Sequence, residues 1–185
     1  MENKKKYGSI MVDIETMARG SKAAIVSIGA VEFNMNTGET GRELYVNVSL
    51  QSCIEKGLRV EGDTVMWWMQ QSDEARKALM DNPVSLGDAM LALYTFVEQC
   101  GFDCEVYGNG PKFDLGILTD AYEVCGMSTP WHFWNERCVR TISMFLPHEK
   151  GMTKFIGTAH NALADCHHQI KYCSQIWRKK NNITG

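Results

Sequence analysis

Three apolar, strand-like segments follow one another closely at the start of the chain, and this succession most restricts the folds that it can adopt. Residues 8–14 and 23–34 are rich in Ile and Val, whereas residues 42–49 alternate apolar with polar side chains. Residues 35–38, Met-Asn-Thr-Gly, separate the last two segments, and Asn and Gly suit the positive-φ positions of a tight hairpin. The pattern therefore predicts a three-stranded antiparallel meander.

The rest of the chain alternates helical with strand-like segments. A short strand is predicted over residues 104–107, and helices are predicted over residues 63–80 with a break near Ser72, 85–100, 113–125, 139–146 and 161–178. Gly126 suits the end of one of these helices, and Pro147 is expected to stop the next one. A meander followed by such alternation predicts an α/β protein whose mixed sheet is flanked by helices.

The composition is that of one ordinary globular domain. The 185 residues are 44% hydrophobic and 22% charged, which is enough apolar material for a sizeable core. We predict a single domain over residues 7–179, with flexible ends at residues 1–6 and 180–185. No apolar run of signal-peptide length follows the basic start, and no segment approaches the roughly 18 apolar residues of a membrane span. We therefore expect a cytoplasmic protein without a membrane partner.

The seven cysteines do not indicate a disulfide framework or a zinc site. Their number is odd, and no two of them form a Cys-x-x-Cys pair. The five histidines also lack the spacing of zinc ligands relative to the cysteines. We expect most of these cysteines to be small buried apolar residues.

Two carboxylates lie at the end of the first predicted strand. Asp13 and Glu15 are two residues apart, so on a strand both side chains leave the same face. Neighbouring carboxylates repel each other, and a bound cation is the usual compensation. A solvated strand end without a metal is the alternative for this pair taken alone.

A third carboxylate, Asp114, follows the Gly-Asn-Gly-Pro sequence of residues 108–111 and begins a predicted helix. As a cap or first-turn residue it would interact favourably with the helix N-terminus. The sequence also permits a second role. The flexible loop leaves space for a ligand, while Phe113 and Leu118 anchor the helix.

His160 and Asp165 are five residues apart, so they would not share a face of one regular helix. They converge if His160 precedes the last helix, Asn161 caps that helix and Asp165 lies one turn inside it. Residues 151–158 would then form a mobile segment before the histidine. A histidine in such a position suits a general base.

Together these motifs resemble those of the DEDDh family of 3′–5′ exonucleases. The resemblance lies in Asp13-Ile14-Glu15-Thr16 for Asp-x-Glu-Thr, Phe113-Asp114 through Leu118 for Phe-Asp-x-x-x-Leu, and His160 through Asp165 for His-x-x-x-x-Asp. Residues 65–72 and 133–141 are similar to segments of short phage-type exonucleases and of the related mycobacterial exoribonuclease. Many family members have an Asp-Thr pair where this chain has Arg140-Thr141.

The resemblance implies a fold, a reaction and a set of roles. The fold would be ribonuclease H-like, with the first strand central. Single-stranded DNA or RNA would be hydrolysed from its 3′ end to nucleoside 5′-monophosphates, and a homodimer is permitted because several relatives are dimers. Two Mg²⁺ or Mn²⁺ ions would act with His160 as general base, and Thr16 and Met17 would touch the terminal nucleotide. The implied ligands of the two ions are Asp13, Glu15, Asp114 and Asp165.

Two pairs of residues are further candidates for substrate binding. Trp67 and Trp68 are adjacent, so on a helix they point about 100° apart. One is expected in the core and the other against a nucleobase, the alternative being that both are partly buried in packing. If their segment is helical, Arg137 and Arg140 share a helix face and could grip a phosphate, the alternative being a salt bridge to Glu136 or a neighbouring acid.

The net charge of −3 argues against a protein that binds long duplexes, because such proteins are usually basic. Two divalent ions would add four positive charges and change the sum from −3 to +1, which is compatible with a single strand held by its end. Two other functions stay open. One is a phosphodiesterase for very short oligonucleotides, and the other is a non-catalytic nucleic-acid-binding scaffold.

Overall fold

A mixed five-stranded β-sheet forms the centre of the part of the chain that the computed structural model describes, residues 7–101, 103–110 and 112–183. The strands are β1 (Ser9–Thr16), β2 (Ile25–Phe33), β3 (Thr40–Asn47), β4 (Glu105–Gly108) and β5 (Glu136–Cys138), in the spatial order β3-β2-β1-β4-β5. β1 and β3 are antiparallel to β2, while β1, β4 and β5 run parallel to one another. The predicted meander, mixed sheet and central first strand are confirmed.

Helices cover both faces of this sheet. In the described ranges they are α1 (Leu50–Glu55), α2 (Gly62–Met69), α3 (Asp73–Ala78), α4 (Leu86–Cys100), α5 (Asp114–Val124), α6 (Val139–Ser143), α7 (Pro147–Met152) and α8 (Ala162–Lys180). α8 packs across β1 and β2, whereas α4 and α5 contribute to the core on the other face. None of these helices is both long and apolar enough to cross a membrane.

The two faces of β1 meet different surroundings. Ile10 and Val12 belong to the core cluster formed with α4 and α5, and Met11 belongs to the cluster formed with α8. Because side chains alternate along a strand, Asp13 and Glu15 lie on the same face as Met11. This face of β1 is therefore apolar at its beginning and acidic at its end.

The element boundaries differ from the prediction around Pro147. α6 ends at Ser143, and Pro147 is the first residue of α7. A proline suits this position because its fixed φ is compatible with a helix and its missing N–H would have no helical partner there. Residues 151 and 152 belong to α7, so the segment that leads to His160 is shorter than predicted.

The hairpin between β2 and β3 is also formed differently in detail. Gly38 has a positive φ of 78°, but Asn36 does not. The side-chain oxygen of Asn34 instead accepts the backbone N–H groups of Asn36 and Thr37, at 2.9 and 3.3 Å. An asparagine side chain that mimics a backbone turn replaces the second positive-φ residue.

The predicted flexible ends are only partly within the described chain. Residues 1–6 lie outside the described residues, as do residues 184 and 185. Lys180, placed in the predicted C-terminal tail, is the last residue of α8.

Candidate active site

Three carboxylates from two distant parts of the chain converge at the end of β1. Each of Asp13, Glu15 and Asp165 offers a carboxylate oxygen, and these oxygens all lie within 4.8 Å of one another. β1 supplies the first two, and the first turn of α8 supplies the third. Asn161 caps α8 by accepting the N–H of Ala164 at 3.1 Å, so Asp165 lies one turn inside the helix as expected.

The close approach of α8 to the sheet depends on Gly29. This residue lies opposite Asp13 in the β1–β2 register. A Cβ atom at Gly29 would be 2.5 Å from both the carbonyl carbon and the carbonyl oxygen of Ala162. The missing side chain therefore lets the N-terminus of α8 rest on β2, which brings Asp165 to Asp13.

Asp114 joins the cluster from α5 and is almost completely buried, with 1% of its surface exposed. It is the first residue of the helix, whereas Phe113 holds the N-cap position. Its Oδ2 accepts the backbone N–H of Asn109 at 2.6 Å, and its Oδ1 accepts that of Ile14 at 3.4 Å. The carboxylate thus bonds to the ends of two strands and not only to its own helix.

These side chains form one open depression of about 190 Å³, which we term the carboxylate cleft. It is lined by Asp13, Ile14, Glu15, Asn109, Phe113, Asp114, Arg140, His160, Asp165 and Gln169. All five residues predicted to be catalytic line this cleft.

Burial raises the pKa values of all four carboxyl groups. For Glu15, burial and the repulsion of Asp165 and Asp114 raise the pKa to about 8. For Asp13, burial and repulsion from the other three carboxylates raise the pKa well above its usual range. Burial raises the pKa of Asp114 to about 6 against the effect of backbone N–H groups, and raises that of Asp165 against the effect of His160. A cation would relieve this repulsion and displace the protons.

The unpaired polar atoms in the cleft are also those that a cation would satisfy. Asn109 Oδ1, Asp165 Oδ2 and Gln169 Oε1 are buried and have no hydrogen-bond partner among the residues that the structure describes. All three are oxygen acceptors, and hard divalent cations such as Mg²⁺ take carboxylate and carboxamide oxygens as ligands, directly or through water. The side chains of the cleft therefore fit divalent metal ions.

Gln169 is a residue of this site that the sequence analysis missed. It lies one turn after Asp165 on α8, and its Nε2 donates a hydrogen bond to Asp13 Oδ1 at 2.7 Å. Only 3% of its surface is exposed. The i+4 spacing from Asp165 was the available signal, because residues four apart share a helix face.

We expect Gln169→Leu to weaken the binding of Mn²⁺ by about 10- to 100-fold, as is typical when a partner of a metal ligand is removed. The substitution keeps a similar volume but leaves Asp13 without its buried donor. Isothermal titration of Mn²⁺ into the protein would measure the effect. Gln51→Leu is the matched control, because Gln51 is exposed and its side chain bonds to Glu55 on the same helix, α1. Equal affinities in the two variants would contradict the role given to Gln169.

We expect the metal-free protein to lose stability as the pH rises, and Mg²⁺ to offset the loss. The pKa of Glu15 in the folded state, about 8, is above the value of about 4.3 that applies to an unfolded chain. At pH values between these two pKa values, the folded state binds more protons than the unfolded state. The free energy of unfolding therefore falls as the pH increases. Thermal melts between about pH 5 and pH 9 should show a widening gap in Tm between Mg²⁺ and EDTA.

Glu15→Gln is the matched variant for these melts. It removes the titrating group, so its Tm in EDTA should depend less on pH than that of the parent. The same pH dependence in both proteins would show that Glu15 is not the group responsible.

His160 lies at the mouth of the cleft, immediately before the cap of α8. Its backbone has a positive φ of 61°, which turns the chain sharply into the helix. Its ring makes edge contacts with two aromatic side chains of α2. The ring centroids are 4.8 Å from Trp67 and 6.2 Å from Trp68.

A second and larger depression adjoins the carboxylate cleft, and we term it the side cavity. Its volume is about 510 Å³, and Ile14, Glu15 and Phe113 border both spaces. It is lined by Ile14, Glu15, Thr16, Ala18, Arg19, Asp63, Thr64, Trp67, Trp68 and Phe113. Arg19, Asp63 and Thr64 were not predicted, and no motif in the sequence singles them out.

The adjacent tryptophans divide as expected between core and surface. Trp68 is buried and donates its Nε1–H to the carbonyl oxygen of Thr16 at 3.0 Å. Trp67 is 41% exposed and lines the side cavity. Thr16 also lines the cavity, whereas Met17 packs against the core and is not part of the lining. A contact between any of them and a nucleobase stays a prediction.

The two arginines do not share a helix face, because the helical segment that this arrangement required does not include Arg137. Arg137 lies on β5 and forms an ion pair with Glu105, with 2.8 Å between Nη2 and Oε1. Arg140 lies on α6 and lines the carboxylate cleft. Residues 136–138 are extended because they pair with β4, so the helix that carries Arg140 begins only at Val139.

Comparisons with known proteins agree with this site. The sequence profile of the 3′–5′ exoribonuclease Rv2179c-like domain matches residues 8–177. An exodeoxyribonuclease of Enterobacteria phage T4 is 30% identical over 190 residues, which cover 84% of this chain and 83% of the relative.

Solved structures share the fold at low sequence identity. The nuclease domain of 3′hExo, a DEDDh family member bound to rAMP, has a TM-score of 0.64 at 11% identity and covers 100% of this chain and 98% of its own. The Mg²⁺- and Mn²⁺-bound form of Pop2p from S. pombe has a TM-score of 0.60 at 13% identity, covering 96% and 86%.

The ribonuclease H-like fold, the acidic cleft and these relatives define the protein as a 3′–5′ exonuclease of the DEDDh class. Within that class, the chain belongs to the 3′–5′ exoribonuclease Rv2179c-like family. The acidic cluster formed by Asp13, Glu15 and Asp165 could hold a metal ion.

Proposed function

We propose that this protein removes nucleotides one at a time from the 3′ end of single-stranded DNA or RNA and releases nucleoside 5′-monophosphates. Asp13, Glu15, Asp114 and Asp165 would hold two Mg²⁺ or Mn²⁺ ions, and His160 would act as the general base. The observation that carries the proposal is the convergence of three carboxylate oxygens within 4.8 Å beside a cavity of about 510 Å³.

The two adjoining spaces suit the base and the phosphate of a terminal nucleotide. The side cavity has the size of a small-molecule site and contains indole and phenyl rings on which a base could stack. The carboxylate cleft would then lie at the scissile phosphate. Thr16 and Trp67 line the cavity and would contact the terminal nucleotide, and Met17 would support them from the core side.

The reaction needs a deprotonated water and stabilisation of the leaving oxygen. Divalent ions, when bound, lower the pKa of water and stabilise developing negative charge on phosphate oxygens. The imidazole of His160, at the mouth of the cleft, would accept the proton of the attacking water. The guanidinium of Arg140, exposed in the same cleft, would contact a phosphate oxygen.

The relatives do not decide whether DNA or RNA is the substrate. The family description names an exoribonuclease, whereas the phage T4 relative is an exodeoxyribonuclease. A time course on matched 5′-labelled single-stranded DNA and RNA, with Mg²⁺ or Mn²⁺ and with EDTA, would decide. We expect a ladder that shortens from the 3′ end and disappears in EDTA. Internal cleavage, or equal cleavage in EDTA, would contradict the proposal.

The same assay distinguishes the two other functions. A series of substrates from two to about twenty nucleotides would detect a phosphodiesterase for short oligonucleotides, since that enzyme would cleave only the shortest members. A scaffold would bind the strands without cleaving any. All five predicted catalytic residues line one cleft, and this convergence favours an active enzyme over a scaffold.

A further inference from the structure

Two indoles of α2 line the side cavity and contact the ring of the proposed general base, and Trp67 is the exposed and nearer one. Trp67 lines the cavity, and its ring also contacts the His160 ring in an edge geometry, with centroids 4.8 Å apart and planes at 80°. His160 itself lines the carboxylate cleft and not the cavity. A base seated in the cavity would therefore meet a side chain that already touches the imidazole.

Trp67 is held in place by its neighbour. Trp68 packs against it at 5.2 Å, with the ring planes at 80°, and is itself bonded to the carbonyl oxygen of Thr16 on β1. The backbone N–H of Glu61, just before α2, also bonds to the carbonyl oxygen of Met17 at 2.8 Å. The helix that carries Trp67 is thus anchored to the strand that carries Asp13 and Glu15.

His160 has fewer contacts that fix its side chain. Residues 156–159 before it are exposed and lie outside any helix or strand. Among the described residues, the imidazole makes no hydrogen bond, and its ring contacts are those with Trp67 and Trp68. Besides the charge of Asp165 in the same cleft, these two aromatic contacts orient the imidazole.

We propose that Trp67 is a positioning residue for His160 and couples occupation of the side cavity to proton transfer in the cleft. A terminal base stacked on Trp67 restrains the indole, and the restrained indole holds the imidazole toward the attacking water. The 3′-terminal base then contributes to the rate of the chemical step and not only to binding. This inference rests on the proposed role of His160 as general base.

The first test compares a normal single strand with one whose 3′-terminal nucleotide lacks its base. Single-turnover rates at saturating enzyme separate the chemical step from binding. In the parent protein, loss of the base should lower the rate by about 3- to 10-fold, as expected for an edge-to-face aromatic contact. In Trp67→Ala the rate should be equally low with and without the base, and Trp67→Phe should recover part of the difference.

Met66→Ala is the matched control for this comparison. Met66 precedes Trp67 on the same helix, is 56% exposed and lines neither space. This variant should keep the parent's sensitivity to the terminal base. The same loss of sensitivity in Met66→Ala would attribute the effect to α2 as a whole and would overturn the proposal.

A double-mutant cycle tests the coupling directly. In a His160→Ala background, Trp67→Ala should have almost no further effect on the single-turnover rate, although it should still weaken binding. If the effects of the two substitutions multiply, Trp67 acts on the nucleobase independently of His160. The coupling is then wrong, whereas the role of His160 as general base is unaffected. If His160→Ala keeps the parent rate, both the general base and the coupling are refuted.

Discussion

We expect Asp13→Asn to lower kcat by about 1000-fold or more, because a metal ion supplies several kcal/mol of transition-state stabilisation and each 1.4 kcal/mol is a factor of ten. Asp13 is the central carboxylate of the cluster. It belongs to the close trio with Glu15 and Asp165, and its pKa is raised by all three of the other acids. The time course on a labelled strand would measure the loss.

The same substitution should raise the Tm of the metal-free protein. The neutral amide removes one of four mutually repelling carboxylates and keeps the shape of the side chain. Mg²⁺ should then give less stabilisation than it gives the parent, because binding of a ligand to the folded state alone sets that gain. Higher stability together with lost activity distinguishes a removed metal ligand from a misfolded variant.

Asp103→Asn is the matched control for Asp13→Asn. Asp103 is exposed and lies just before β4, at the end of that strand remote from the cleft. This variant should keep the parent's activity and its response to Mg²⁺. Parent-like cleavage by Asp13→Asn itself would show that the metal ligands have been wrongly assigned.

We expect Gly29→Ala to lower the activity strongly although Gly29 lines neither the carboxylate cleft nor the side cavity. Its new Cβ would lie 2.5 Å from backbone atoms of Ala162, a separation that forces α8 away from β2. Overpacking of this kind costs about 1–3 kcal/mol of stability. Since α8 carries Asp165 and follows His160, a displacement of about 1 Å would lower kcat by about 100-fold. Thermal melts and the labelled-strand assay would measure the two effects.

Gly87→Ala separates this effect from the general consequences of adding a methyl group. A Cβ at Gly87 in α4 would meet only Ser85 Oγ, at 3.9 Å. This variant should be active and equally or slightly more stable, since alanine favours helices by about 0.5–1 kcal/mol over glycine. Full activity in Gly29→Ala would show that α8 can shift without moving Asp165 from the cluster.

The residues that we propose to be catalytic could be selected from the sequence because several of them are tied to a local signal. Asp13 and Glu15 end an apolar strand, and the cap at Asn161 fixes where Asp165 falls on α8. Arg137 could not be placed in this way. Residues 136–138 are extended because they pair with β4, and such a short strand has no periodicity of its own to detect.

The sequence by itself determined strands β1 to β4, the longer helices and the identity of the acidic residues, because periodicity and capping act over a few neighbouring positions. The tertiary structure alone decided which polar groups meet. Gly29 admits α8 to the sheet, Gln169 bonds to Asp13, and Trp67 lies between the side cavity and His160. Such contacts join residues up to 156 positions apart, and no local pattern encodes a separation of that kind.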